Sequence, residues 1–176
     1  IDNLFSDDEL NQIKHYCSNQ PKHTTMVNKQ NANDEVRKSN ISWIFQEENN
    51  QWFYKKYTNA ILHTNSECYN FDLTTQEPLQ YTSYDEKDSH YDFHVDTVFN
   101  NPVLNTRKLS SILFLSDPNE YVGGQLVMQY SKEDFKIEQK YGRMVVFPSF
   151  IMHKVTRIES GVRNSLVNWF SGPPIR

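Results

Sequence analysis

Hydrophobic and polar positions follow two rhythms along the 176-residue chain, and the change falls near residue 68. In FSDDELNQIKHYC, Leu10, Ile13 and Cys17 recur at the spacing of one helical face, and Ser6 with Glu9 forms a capping-box pattern. This predicts a helix over 7–18. Residues 20–40, QPKHTTMVNKQNANDEVRKSN, are polar and hold no period. They read as a long loop with room for short strands, and loops of that length usually carry function or are disordered. QEENNQWFYKKYTNAILHTNSE predicts a second helix over 47–65, with Trp52, Tyr57, Ile61 and Leu62 facing inward. Beyond it, short runs rich in Val, Ile, Phe and Tyr alternate with Gly, Pro, Asn and Asp clusters. They predict strands at 68–73, 78–85, 91–97, 108–116, 124–130, 134–138, 143–148, 151–157 and 162–170. Helices first and closely spaced strands later indicate an α+β fold, mainly β, or a β-sandwich carrying helices. Strand–helix alternation and a G-x-G-x-x-G are both missing, which argues against a Rossmann sheet, and no internal repeat is visible.

Composition adds bounds. A chain of 176 residues reads as one domain, 1–176. Hydrophobic residues make up 37% and aromatics 14%, so the core is expected to be built from Phe, Tyr and Trp. Mean hydropathy is −0.75, and no apolar run approaches the roughly 18 residues of a membrane span. No basic–apolar leader pattern opens the sequence. The net charge of −4 gives no electrostatic footprint for nucleic acid or an anionic membrane. Cys17 and Cys68 lie outside any C-x-x-C and read as free intracellular thiols, a single disulfide being the alternative. The Asn- and Lys-rich usage fits an AT-rich coding genome, viral or bacterial. A cytoplasmic location is expected, in the host cytoplasm if viral.

The candidate chemistry starts in SHYDFHVDTVF. Alternate residues of a strand project from one face, so His94 and Asp96 point together and Val95 points away. An H-x-D pair is common on surfaces, so a metal site needs a third donor. His15 and His63 fall on predicted helices, His23 lies in the polar loop, and His90 precedes the strand and reads as solvent-facing. His153, on a late strand with apolar neighbours, is left. Alone it would read as a core histidine bonded to a carbonyl. With His94 and Asp96 it completes a 2-His-1-carboxylate set, the donor set of non-haem Fe(II) oxygenases. Ten residues further on, Arg163 follows a glycine turn and enters a strand of small and apolar residues with no acidic partner in it. A buried guanidinium needs an anion, and its planar fork suits a carboxylate, such as that of a bound dicarboxylate. A solvent-facing arginine at a turn is the alternative.

These residues resemble the Fe(II)/2-oxoglutarate-dependent dioxygenases, and most closely the prolyl 4-hydroxylase family with its bacterial PKHD-type members. HYDFHVD, LSSILFLSDPNEYVGGQLVM, GRMVVFPSFIMHKVT and SGVRNSLVNWF carry the likeness, which runs through about 78–171. The resemblance implies a double-stranded β-helix, a jelly roll or cupin-like barrel, over 67–171, with 1–66 as a helical buttress and lid loop. It implies Fe(II) on His94, Asp96 and His153, and Arg163 as the clamp for the distal carboxylate of 2-oxoglutarate. Tyr84 would donate to the same carboxylate, with Tyr81 as the fallback because YDEKDSHYDFH lacks the family's Gly-rich spacing. Substrate contacts would map onto Tyr91, Arg107, Trp169, Arg37 and Ser39, with the polar stretch before Arg37 as a mobile lid. Gly123 and Gly124 read as a turn or bulge.

By the same resemblance, O2 and 2-oxoglutarate would be consumed to give succinate and CO2, with ascorbate as reductant. A peptidyl proline would become 4-hydroxyproline, in a proline-rich or collagen-like peptide that suits an aromatic groove. A hydroxylase of a free amino acid or another side chain is the runner-up. A cupin-like metal-binding module without turnover is the reading from another class, and Arg163 argues against it. A nucleic-acid demethylase shares the core, but the acidic charge argues against it. No nucleic-acid or membrane partner is expected, and the chain is expected to be a monomer or weak homo-oligomer.

Overall fold

The computed structural model describes residues 1–28, 35–97 and 105–174. In chain order these form α1 (Asp7–Ser18), β1 (His23–Asn28), β2 (Glu35–Ile44), α2 (Gln51–Thr64), a π-helical turn (Asn65–Tyr69), β3 (Thr75–Gln76) and β4 (Leu79–Tyr84). Then come β5 (His90–His94), β6 (Thr106–Phe114), a 3₁₀ turn (Pro118–Glu120), β7 (Tyr121–Gly123), β8 (Leu126–Tyr130), β9 (Glu133–Lys136), β10 (Met144–Pro148), β11 (Met152–Val155), β12 (Ile158–Gly161) and β13 (Arg163–Gly172). The main sheet runs β10-β6-β13-β4-β2-β5-β11-β8-β9, with β1 on β2 and β3 on β13, and β12 pairs β7 separately. Every strand pair is antiparallel. The sheet curls into the half-barrel of a double-stranded β-helix. No helix among the described residues is long and apolar enough to cross a membrane.

The strands at the centre of this sheet serve two interiors. On β4, Leu79 and Tyr81 face the helices, while Tyr84 joins the core inside the barrel. On β6, Leu109 and Leu113 face the helices, and Ile112 and Phe114 face the barrel. Leu166 of β13 belongs to the helix-side core, and its neighbour Val167 packs against the barrel core. This is the two-residue period of a pleated strand with both faces covered. It explains why these segments read as mixed runs rather than clean alternation. The helix-side core also holds Leu10, Ile13 and Cys17 from α1 and Phe53, Tyr54, Tyr57 and Ile61 from α2. Each such side chain contributes about 1.5–3 kcal/mol by leaving water. Tyr57 adds a polar tie: its hydroxyl donates to the Leu166 carbonyl (3.0 Å) and lies 3.1 Å from Ser111 Oγ.

The first helix matches its predicted span, and Ser6 and Glu9 form both reciprocal bonds of the capping box. Glu9 also receives Lys56 Nζ from α2 at 2.8 Å. The second helix starts four residues later than expected. Asn50 is the cause: its side-chain oxygen accepts from Glu47 N (2.9 Å) and its nitrogen donates to the Phe45 carbonyl (2.7 Å), which holds the preceding residues in a turn. Its phase differs too. Phe53 and Tyr54 are buried with Tyr57 and Ile61, whereas Trp52 and Leu62 are 39% and 43% exposed.

Three further expectations are corrected. The polar stretch 20–40 is not a loop over its described part: β1 and β2 pair as a hairpin, and β2 lies between β4 and β5. The expected strand at 68–73 does not form: Cys68 and Tyr69 end the π-helical turn, Asn70 closes it at φ +52°, and the next three residues hold no regular element. The Asn65 side chain there accepts from Phe71 N and donates to Phe71 O. His90 is not solvent-facing but 2% exposed at the start of β5, with Nδ1 2.7 Å from the Asp88 carbonyl. Both thiols are free, Cys17 buried and Cys68 exposed.

The helix phase is open to a direct test. Phe53→Ala is expected to lower stability by about 3–5 kcal/mol, and Trp52→Ala by under about 1.5 kcal/mol. Urea unfolding of the two variants checks this, and the reverse order would contradict the assigned inward face.

Candidate active site

His94 closes β5, and His153 is its direct cross-strand partner on β11. The two rings lie 4.2 Å apart, centroid to centroid. Asp96 follows just after β5, where its backbone N–H donates to the Ser149 carbonyl at 2.9 Å. That bond turns the carboxylate between the rings. Asp96 Oδ1 lies 3.6 Å from His94 Nε2, and Asp96 Oδ2 lies 3.6 Å from His153 Nε2. These gaps exceed hydrogen-bond length, yet one donor atom from each residue lies within 4.8 Å of the others. Donors bonded at about 2.1 Å to one ion sit at such separations.

The remaining polar atoms fix the donor chemistry. His94 Nδ1 is 2.8 Å from the Asp92 carbonyl, and His153 Nδ1 is 2.9 Å from the Ile151 carbonyl. A carbonyl only accepts, so each Nδ1 carries the proton and each Nε2 presents its lone pair to the gap. Ser110 Oγ donates to Asp96 Oδ2 at 2.7 Å and lies 2.9 Å from Ser149 Oγ. The side chains of His94, Asp96 and His153 are 14%, 9% and 5% exposed. Burial first, and then the neighbouring His153, push His94 down to about 4, so its imidazole is neutral at pH 7. Tyr91 stacks on the His94 ring at 3.5 Å, and Phe147 meets His153 edge-on at 4.9 Å.

Arg163 opens β13 beside its register partner Tyr84 on β4. It is 1% exposed, and burial pulls its pKa downward. Its Nε donates to Gln139 Oε1 (3.3 Å), and Nη1 lies at 3.5 Å from Ser165 Oγ. The guanidinium sits 5.4 Å from both the Tyr84 and Phe114 ring centroids. Gly124, at φ +59°, leaves room for it, since a Cβ there would lie 2.8 Å from Arg163 Cδ. Among the described residues, Arg163 Nη2 and Trp169 Nε1 are the buried side-chain polar atoms without a partner. Both are donors, and both residues line the cavity that holds the His–Asp–His cluster. Two orphaned donors, one of them cationic, fit an oxygen-rich anionic ligand.

The remaining sequence candidates divide. Tyr84, Tyr91, Arg37 and Trp169 line the cavity. Arg37 lies 4.7 Å over the Tyr91 ring and donates to Ser39 Oγ (2.9 Å) and Gln80 Oε1 (3.0 Å), so Ser39 braces it from behind. Arg107 is outside the lining. Both its Nε and Nη2 donate to Glu77, at 2.6 and 2.5 Å, and its guanidinium stacks 4.0 Å over Trp169. Tyr81 is three residues from Tyr84, so the pleat sends it to the helix-side core, away from the cavity. The fallback is therefore corrected. Of the polar stretch expected as a mobile lid, 29–34 lie outside the described residues, and the part before them forms β1, paired along β2. Glu77, Ser110, Gln125 and Gln139 escaped the sequence reading. Only Ser110 carried a signal, as a hydroxyl in the apolar run LSSILF.

Comparison with known proteins agrees with this geometry. The sequence profile of the 2OG-Fe(II) oxygenase superfamily matches residues 79–171, just over half of the chain. The chain belongs to that superfamily, whose iron(II), 2-oxoglutarate and O2 suit the His–Asp–His cluster and the orphaned guanidinium. A PKHD-type hydroxylase from Prochlorococcus marinus is 36% identical over 89 residues, covering 49% of this chain and 38% of that protein. The aligned part thus spans less than half the length of this curated relative. Among solved structures, a Pseudomonas putida prolyl-4-hydroxylase superposes with a TM-score of 0.74 at 20% identity, covering 99% of this chain and 91% of that one. A Trichoplax adhaerens prolyl hydroxylase, solved with a hypoxia inducible factor peptide fragment, gives 0.75 at 19%, covering 97% and 81%. At these identities the likeness speaks to the fold.

The bond to Asp96 yields a prediction. Ser110→Ala removes the hydroxyl that orients the carboxylate and is expected to weaken Mn(II) binding by about 10–100-fold. Calorimetric titration measures it, and unchanged affinity would mean that Asp96 needs no such support.

Proposed function

We propose that this protein is a 2-oxoglutarate-dependent dioxygenase that hydroxylates proline in a peptide, giving 4-hydroxyproline. The observation that carries the reading is the convergence of His94, Asp96, His153 and Arg163 on one cavity. In this reading His94 Nε2, His153 Nε2 and an Asp96 oxygen hold iron(II). With 2-oxoglutarate and O2, the bound iron supplies the oxidant for a C–H bond while the 2-oxo acid leaves as succinate and CO2.

The chain's own groups act through placement. The Asp92 and Ile151 carbonyls keep both Nδ1 protons in place, so neither imidazole turns its lone pair away. Arg163 takes the distal carboxylate of 2-oxoglutarate through its unpartnered Nη2, and Tyr84 flanks it on the neighbouring strand. Tyr91, stacked on His94, sets the floor on which a substrate ring would rest. Trp169 forms an aromatic wall with its indole N–H unpaired, and the Arg107–Glu77 pair behind it fixes its plane. A peptide carbonyl would satisfy that N–H, and an aromatic groove accepts an extended proline-containing segment without ordering it first. The Trichoplax neighbour with its bound peptide adds support for this class of partner.

One observation favours a second reading. Arg37 faces the cavity, and its hydrogen-bond partners among the described residues are the neutral Ser39 and Gln80. Its charge suits the carboxylate of a free amino acid as well as a peptide carbonyl. Mass spectrometry separates the two: a gain of one oxygen on proline within peptides is expected, and a gain confined to free amino acids would contradict the peptide reading.

Protein supplied with Fe(II) is expected to release succinate from 2-oxoglutarate, and His153→Ala to abolish it. Undiminished succinate from that variant would overturn the ligand assignment. Arg163→Ala is expected to raise the 2-oxoglutarate KM roughly a hundredfold, as for losing a buried charge-assisted pair, and an unaltered KM would remove Arg163 from the clamp.

A further inference from the structure

Arg163 has an unusual set of neighbours for a buried cation. Burial works against its charge, and the groups acting on it are the two phenols Tyr84 and Tyr121, with no carboxylate among them. The backing comes instead from Gln139, in the connection between β9 and β10. Its side-chain oxygen accepts from Arg163 Nε at 3.3 Å and from the Tyr121 hydroxyl.

The orientation of that amide is set by a relay. Gln125 Nε2 donates to the Leu126 and Ile137 carbonyls, so the nitrogen end of Gln125 is fixed. Its oxygen then faces Gln139, whose Nε2 donates to it at 3.4 Å. The oxygen of Gln139 is thereby left pointing at Tyr121 and Arg163. With Nε held from behind and Nη1 towards Ser165, Nη2 is the guanidinium nitrogen left without a partner.

We infer that Gln139 is a positioning and specificity-determining residue for the dicarboxylate. It orients the Arg163 guanidinium and, being neutral, leaves the positive charge uncompensated for an incoming anion. A carboxylate at the same place would sit within ion-pair distance of Nε in a poorly screened interior. It would neutralise Arg163 internally and repel the distal carboxylate of the co-substrate. The amide satisfies the same hydrogen bond without either effect. This inference rests on the reading of Arg163 as the clamp.

The test is calorimetry on Mn(II)-loaded protein, which reports binding without turnover. The ligands are 2-oxoglutarate and 2-oxopentanoate, the latter lacking the distal carboxylate. Wild type is expected to favour 2-oxoglutarate. Gln139→Glu is expected to weaken 2-oxoglutarate by roughly 10–100-fold, the range for losing a hydrogen bond to a charged group. Its affinity for Mn(II) and for 2-oxopentanoate should stay within about twofold, so that the preference collapses. Gln139→Met, which removes the acceptor but adds no charge, should weaken 2-oxoglutarate less and keep the preference. Equal binding of 2-oxoglutarate by wild type and Gln139→Glu overturns the inference, as does an equal loss of both acids. A wild type that does not prefer the dicarboxylate overturns the clamp reading itself.

Discussion

The whole arrangement depends on register in strands whose two faces are both buried. On β4, β6 and β13, one set of alternate residues closes the helix-side core, and the other set builds the barrel interior. A slip of one residue on β13 would send Arg163 towards the helices and Leu166 into the cavity, and both cores would lose their fit. Side chains such as Leu113 and Leu166, far from any chemistry, therefore fix where Arg163 points. The pairing of Arg163 with Tyr84 and of His94 with His153 follows from the same constraint, since antiparallel register alone sets those neighbours.

Within that frame, the cavity is built from polar groups left deliberately incomplete in charge. The two imidazoles are bonded at Nδ1 to carbonyls and face Asp96 across gaps too wide for hydrogen bonds. Arg163 is buried with one nitrogen unpartnered, and Trp169 keeps an unpartnered indole N–H. Such groups are costly to bury without partners. Their concentration around one cavity is what a ligand-binding centre requires, because a cation between the donors and an anion against the guanidinium relieve each cost. Two arginines away from the cavity do have ionic partners: Arg107 is closed by Glu77 and Arg143 by Asp2 and Glu138. The contrast separates structural ion pairs from groups that await a ligand.

Local signals with a single strong cause were legible in the sequence. The capping box placed α1 because Ser6 and Glu9 act on adjacent backbone groups. The cluster of His94, Asp96 and His153 was legible because H-x-D brings two donors close together and few other histidines suited a third position, although Asp96 falls just beyond β5 and is turned in by its bond to Ser149. Signals that depend on distant partners were not. The β2 strand is polar in sequence and becomes ordered by pairing with β1, β4 and β5. The inward face of α2 is set by what it packs on, with Phe53, Tyr54, Tyr57 and Ile61 in one core with residues of α1, β4, β6 and β13, and such distant partners leave no local mark. The choice of Tyr84 over Tyr81 was readable from strand parity, whereas Gln139 was not, because its role comes from a relay across three separate segments.

The central claim is that two imidazoles and one carboxylate share a single ferrous ion. X-ray absorption at the iron edge, on protein loaded with Fe(II) under argon, reads the imidazole nitrogens around the metal directly. The account predicts scattering from two imidazoles at about 2.1 Å, falling to one in His94→Ala. A spectrum without imidazole scattering, or one that the substitution leaves unaltered, would contradict it.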